Sequence, residues 1–286
     1  MLAKLLKYDF RALNRIMLPL QGGVLLAAVV GSFAIRIALI SLENSYSMYS
    51  PASSGSLHLE EVIYSTSLLV GVLIYAAIVA SYWISLFLIA RHYNQSFLRD
   101  EGYLAFTLPV SASQNLMSKV IAGSLWLFIN MAILVFAMIL LALIGFTGTG
   151  SNTVFVVMDN MKEEFSNVPG FIFFVELFVV ALLAAVHGIL QIYTSLNIGA
   201  VLARTHKVAA GIGIFVAINM IMQIVMSVVT FGLGFGPGSS IDFSAQYSWF
   251  PMMQVVVLPP LIIFAALVFV YFFVSKHLLT TKLNLD

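Results

Sequence analysis

Apolar residues fall into six long runs, roughly 16–40, 62–90, 119–146, 171–202, 208–232 and 251–275. A helix crosses the hydrocarbon of a bilayer with about 20 mostly apolar residues. Each run is long enough. Only helices and closed barrels can cross, because every backbone N–H and C=O must be bonded internally in lipid. The pattern predicts an all-α integral membrane protein, a single domain over 1–286 with six transmembrane helices. The second and fourth runs are long, so those helices are expected to tilt or to project beyond the bilayer. The polar segments between the runs differ in kind. Residues 43–61 are Ser-rich and read as irregular. Residues 147–170 carry a candidate short helix near VVMDNMKEEF. Residues 232–250, GLGFGPGSSIDFSAQYSWF, are Gly-rich and then aromatic, and Tyr247, Trp249 and Phe250 suit a membrane interface.

The first fifteen residues, MLAKLLKYDFRALNR, are amphipathic. Leu2, Leu5, Leu6, Phe10 and Leu13 share one helical face, and Lys4, Lys7, Arg11 and Arg15 lie mostly elsewhere. This predicts a helix lying in the membrane interface and held by anionic lipid. The alternative is a plain extension of the first span. A cleavable signal has a brief basic region and a short apolar core, and this start does not have that form.

Basic residues orient the spans, because loops left in the cytoplasm carry the excess of Lys and Arg. One side holds Lys4, Lys7, Arg11, Arg15, Arg91, Arg99, Lys119, Arg204, Lys207, Lys276 and Lys282; the other holds Arg36 and Lys162. Eleven against two predicts both termini in the cytoplasm. The second side also carries Glu43, Glu60, Glu61, Asp159, Glu163, Glu164 and Asp242.

Composition agrees. The 286 residues are 61% hydrophobic and 9% charged, where a soluble domain carries about 25% charged residues. Little chain is left for a soluble domain. A net charge of +1 gives no nucleic-acid signature, and with no Cys there is no disulfide, thiol catalysis or thiolate metal site. The composition fits the cell membrane of a bacterium.

One polar segment is structured. RDEGYLAFTLPVSASQNLMSK, Arg99 to Lys119, lies within the 91–118 loop and runs into the base of the third span. Ser111 and Gln114 have capping-box spacing, and Pro109 bars continuation of an earlier helix. A new helix is therefore expected from about Ala112. Between Gly102 and Pro109 lie Tyr103, Leu104, Phe106 and Leu108, too few to span and too apolar to float free. They read either as a loop lying on headgroups or as an apolar knob, flanked by charges, that docks a partner.

DEGYLAFTLPVSASQNLMSKVIAGSLW resembles the cytoplasmic loop and third span of the type-2 ABC exporter permease family. MLAKLLKYDFRALNRIMLPL is similar to the N-terminal elbow helix of its Firmicute members, and SLNIGAVLARTHKVAAGIG resembles the family's turn between the fourth and fifth spans. The resemblance covers nearly the whole chain in order and topology. It implies a homodimer of permease subunits, each binding a cytoplasmic ATPase subunit that holds the ATP and Mg. It implies a coupling helix in the 91–118 loop, a role that falls here on Arg99, Asp100, Glu101, Gly102, Tyr103, Leu104, Phe106 and Leu108. It implies short re-entrant helices in 232–250. Members that export amphipathic peptides are most similar in length and loop style, with lipid or drug export as the alternative.

The chain has no phosphate-cradling G-x-x-x-x-G-K-[ST], so the reading assigns it no ATP hydrolysis and no cofactor of its own. A non-transport membrane enzyme or scaffold is the rival class. Its only cue is His58 with Glu60 and Glu61, which lacks the spacing of a three-ligand metal site; a solvated acidic cluster is the plainer reading. Ionisable residues inside spans are functional candidates. Arg36 and Glu176 lie near span ends, and Arg36 has Glu43 as a candidate partner. His187 is deeper and, with Gln191 and Asn197, reads either as packing or as a substrate path. Gly23, Ala27 and Gly31 recur every four residues, and Gly211 and Gly213 open the fifth span. Small residues at such spacing permit close helix approach, within the chain or across a dimer interface.

Overall fold

A computed structural model of the chain describes residues 2–47, 54–97, 111–145, 159, 162, 168–203, 205–235 and 249–281. Its elements are α1 (Leu2–Ser47), α2 (Ser54–Phe97), α3 (Ala112–Leu140), a π-helical turn (Leu141–Gly145), α4 (Val168–Leu202), α5 (Lys207–Phe235) and α6 (Trp249–Thr281). All six helices are long and apolar enough to cross a membrane. The protein is a multi-pass, all-α membrane protein.

The helices are longer than the apolar runs. α1 has 46 residues and α2 has 44, against a need of about 20. The second and fourth helices are long, as expected, with 44 and 35 residues, and the first is longer still. Residues 1–15 do not form a separate helix: Leu2 begins the same helix that carries the first span. The sequence offers no break there, since the first glycines are Gly22 and Gly23 and the start is rich in Leu, Lys, Ala and Arg, all good helix formers. Pro19 removes one ladder bond without ending the helix. Much of the expected irregular segment 43–61 is likewise helical, as α1 runs to Ser47 and α2 begins at Ser54. Asp159 and Lys162 have helical backbone, in keeping with a short helix near VVMDNMKEEF.

α1 buries a narrow stripe: Asp9, Leu13, Met17, Gln21, Val24, Ala28, Gly31 and Ser32. Steps of three and four residues keep these on one face. Lys4, Lys7, Arg11 and Arg15 are exposed, and Leu2, Leu5, Leu6 and Phe10 are half-buried.

Two compact units divide the chain. One comprises Asn14–Ser85 and Ile129–Glu164. Its core holds Val24, Ala28, Ile78 and Ala137, with Ala27 and Ile133 packed against them. Glycines bring its helices close. A Cβ on Gly31 would lie 2.8 Å from Ile74 Cγ2, and one on Gly71 would lie 2.5 Å from Ile35 Cγ1. Tyr75 adds polar ties: its hydroxyl lies 2.7 Å from Ser32 Oγ and donates to the Ala137 carbonyl at 3.2 Å. Four residues later the α ladder of α3 gives way to the π turn. Asn130 Nδ2 donates to Ser85 Oγ at 3.1 Å.

The other unit comprises Met1–Leu13, Leu86–Phe128 and Phe165–Asp286. Its centre is the C-terminal half of α4, where residues 189–197 are buried without interruption. Gln191, Thr194, Ser195 and Asn197 lie in that stretch. Helices in lipid associate through close packing and hydrogen bonds, because lipid tails are as apolar as Leu. Thr194 Oγ1 lies 2.8 Å from Ser275 Oγ of α6 and 3.2 Å from the Tyr271 carbonyl. At the α4–α5 crossing the backbones touch: a Cβ on Gly199 would overlap the Gly211 backbone nitrogen and fall 2.6 Å from its Cα.

Candidate functional site

The 91–118 loop singled out by the sequence enters from α2 and leaves into α3. Both of its flanks are built into the second unit. Upstream, α2 ends at Phe97, whose ring is buried. Downstream, Ser111 caps α3: its Oγ accepts from the Gln114 N–H at 3.3 Å, and its carbonyl accepts from Gln114 and Asn115. The capping-box start expected at Ala112 is therefore present on its Ser side.

A buried ion pair ties these flanks to the N-terminal helix. Lys119 Nζ lies 2.9 Å from Asp9 Oδ1, and Ser118 Oγ donates to Asp9 Oδ2 at 2.6 Å. His92 Nε2 stands 3.6 Å from Asp9 Oδ1. Asp9 is 9% exposed and Lys119 6%. Both carboxylate oxygens are engaged, the arrangement a buried charge requires to offset its lost hydration. The ammonium also lies 5.3 Å from the centroid of the Phe97 ring, within cation–π range.

Aromatic residues carry the network into α4. Tyr93 packs against Phe97 at 5.0 Å and stacks on Tyr193 at 3.8 Å, with ring planes 12° apart. The Tyr93 hydroxyl donates to Asn197 Oδ1 at 3.0 Å, and the Tyr193 hydroxyl to the Lys119 carbonyl at 3.3 Å. A Cβ on Gly123 would meet Ile89 and the Tyr193 hydroxyl, each at 3.1 Å. α1, α2, α3 and α4 thus meet in one polar and aromatic layer beside the loop. An unpaired charge within a span costs roughly 2.5–3.5 kcal/mol at its centre on insertion scales. The pairing of Asp9 with Lys119 removes two such charges at once.

Asp9, His92 and Ser118 were not singled out by the sequence, and Lys119 entered only as a basic residue on the charge-rich side. A signal existed at Asp9. It lies four residues from both Leu5 and Leu13, on the apolar face of the amphipathic stretch, where a carboxylate needs a partner. Nothing local names that partner, 110 residues away.

The eight coupling residues Arg99, Asp100, Glu101, Gly102, Tyr103, Leu104, Phe106 and Leu108 lie outside the described residues, as does most of 232–250. The three path residues separate. His187 is buried and stacks on Phe264 of α6, centroids 4.8 Å apart, with Tyr271 at 5.5 Å. Gln191 lies one turn on, also buried. Asn197 faces Tyr93 of α2 instead. The interface residues also divide. Ala27, Gly31 and Gly211 have close neighbours within their own units, and Gly23 and Gly213 have open space where a side chain would be. Arg36 and Glu176 are half-buried, and Arg36 forms no ion pair among the described residues. No group of three metal-ligating side chains occurs among the described residues, which include the Glu61 side chain but not those of His58 and Glu60.

No family model matches the chain, and neither the search of curated proteins nor that of solved structures found a match. What stands on geometry is a multi-pass protein with six candidate membrane spans and a buried polar layer that joins the two flanks of the 91–118 segment, the end of α2 and the start of α3, to α1 and α4.

Proposed function

We propose that this chain is the membrane-spanning subunit of an ATP-driven ABC exporter. It pairs with a second permease subunit, binds two separate ATPase subunits, and moves hydrophobic or amphipathic cargo, foremost peptides, out of the cell. The observation that carries the reading is the mounting of the α2–α3 loop between two buried flanks. A loop that only rested on headgroups would need no buried ion pair at its base. Here Asp9 holds the base of α3 to α1, and Tyr193 holds it to α4. A push on residues 99–108 would reach three helices through bonded, desolvated contacts instead of dissipating in a loose hinge.

The mechanism follows from that mounting and from the resemblance. The charge asymmetry supports a cytoplasmic position for the loop. The 286 residues hold no phosphate-binding loop, and the reading gives ATP hydrolysis to a partner subunit. Closure of that subunit on ATP displaces the loop, and the layer around Asp9 and Lys119 passes the displacement to α1, α3 and α4. Abundant Phe and Met, 23 and 13 residues, offer the soft, adaptable surface that suits greasy cargo.

Gentle purification of the tagged chain from its own host tests the reading. A stoichiometric ATP-binding subunit is expected, and replacing residues 99–108 with a Gly/Ser linker should release it. Recovery of the chain without any ATP-binding subunit, with and without nucleotide, would overturn the proposal.

A further inference from the structure

We infer that Gln21, Ser85 and Asn130 form a buried binding site for water inside the unit that comprises Asn14–Ser85 and Ile129–Glu164. The inference goes beyond the transport reading and holds whatever the chain carries.

Helical register brings the three residues to one level. α1 and α2 run in opposite senses: a Cβ on Gly31 would meet Ile74, and one on Gly71 would meet Ile35. Seven residues back from Ile35 is Ala28, and seven on from Gly71 is Ile78. Both belong to the core, together with Ala137 of α3. Steps of seven return a helix to the same seam. One such step further, in the same direction on all three helices, stand Gln21, Ser85 and Asn130. The bond from Asn130 Nδ2 to Ser85 Oγ at 3.1 Å joins two corners of this layer. An apolar layer is thus followed by a polar one. Gln21 and Asn130 each lie within two residues of the middle of their candidate spans.

The layer is closed and only partly bonded. Gln21 is 4% exposed, and Ser85 and Asn130 are wholly buried. Gln21 Oε1, Gln21 Nε2 and Asn130 Oδ1 have no partner among the described residues. The Ser85 hydroxyl accepts from Asn130 and donates to nothing described. Buried polar groups in native proteins are paired, and an ordered water is the usual partner where side chains leave a gap. The open groups select the occupant. Gln21 Oε1 and Asn130 Oδ1 are acceptors; Gln21 Nε2 and the Ser85 hydroxyl are donors. A cation would serve the acceptors alone, and an anion the donors alone. Water donates twice and accepts twice, so it answers both kinds. At this level α1 is then joined to α2 and α3 through an exchangeable molecule and not by a direct side-chain bond.

Crystals of the full chain grown in a lipid mesophase and soaked in rubidium chloride test the site. A density peak within hydrogen-bond distance of Gln21 and of Ser85 or Asn130, with no anomalous signal from rubidium, is expected. An anomalous peak there would overturn the proposal in favour of a monovalent cation. A layer without density, or a direct bond between Gln21 and Asn130 in its place, would overturn it too. In detergent solution, hydroxyl radicals made by an X-ray pulse mark side chains beside bound water. Met17 is wholly buried and one turn from Gln21, so it is shielded from radicals in the bulk, and it should nevertheless be oxidised in the wild-type chain. Gln21→Leu should cut that oxidation severalfold and leave the exposed Met117 unchanged. An unmarked Met17 in the wild type, or equal marking in both chains, also overturns the proposal. The wild-type measurements stand whether or not Gln21→Leu folds.

Discussion

α4 and α5 are neighbours in sequence, joined through 203–206, and both are strongly apolar with polar residues in register. Their fates are opposite. α4 buries Gln191, Thr194, Ser195 and Asn197 at the centre of its unit and has α2, α3, α5 and α6 around it. α5 buries only Gly211 among its described residues and turns Asn219, Gln223 and Ser227 outward. Composition does not distinguish the two helices. What differs is whether the chain itself covers the polar groups. On α4 Thr194 and the Asn197 carbonyl oxygen find partners on other helices, while the amide nitrogens of Gln191 and Asn197 are buried with none among the described residues.

Removing what α4 and its surroundings already have should cost most. Lys119→Met leaves the Asp9 carboxylate buried without its counter-charge, an expected loss of about 3–5 kcal/mol. Thermal unfolding of the solubilised chain measures it, and Asp9→Asn in the same chain should recover part of the loss. If Lys119→Met unfolds at the wild-type temperature, the ion pair is not what holds the base of α3.

Gly199→Ala comes next. Its Cβ meets backbone atoms of Gly211, not the end of a flexible side chain, so α5 itself must shift. Overpacking of this kind costs about 1–3 kcal/mol. Gly213→Ala has nothing within 4 Å and should change monomer stability by less than about 0.5 kcal/mol. Equal effects at the two glycines would erase the contrast between the crossing and the open face.

Smaller again is Tyr93→Phe. It removes the bond to Asn197 while keeping the stack on Tyr193. The expected loss is about 1 kcal/mol, near the usual worth of a buried hydrogen bond in water or lipid. The finest contrast is Gln223→Leu, which should leave the stability of the monomer within about 0.5 kcal/mol of wild type in the same thermal unfolding. A drop as large as that of Tyr93→Phe would mean that α5 has a partner within the chain.

Much of the fold was legible because its rule is one of length. Six apolar runs became six helices, and Ser111 with its following residues marked the start of α3. The joining of residues 1–15 to the first span was not legible. An interfacial helix and the first turns of a longer one share the same 3.6-residue period, and no Gly or Pro stands between Leu13 and Met17 to separate them. The Gly23, Ala27 and Gly31 spacing announced close approach without saying to what, because spacing fixes which residues share a face and not what lies opposite. The polar layer beside the loop depends on residues far apart in sequence. Tyr93 meets Asn197 across 104 positions, and Tyr193 meets Lys119 across 74.

The separation of Asp9 from Lys119 also orders events while the chain is being made. Gly199 and Gly211 are twelve residues apart and can close as soon as α5 leaves the ribosome. Asp9 has no counter-charge until a further 110 residues exist, about 5–20 s of synthesis at 5–20 residues per second. Through that interval the newborn N-terminus carries a carboxylate on its apolar face, and water is the solvent that can hold it. Docking of those first turns thus waits for the arrival of α3, and until then their Leu and Phe side chains are free to rest on the membrane surface.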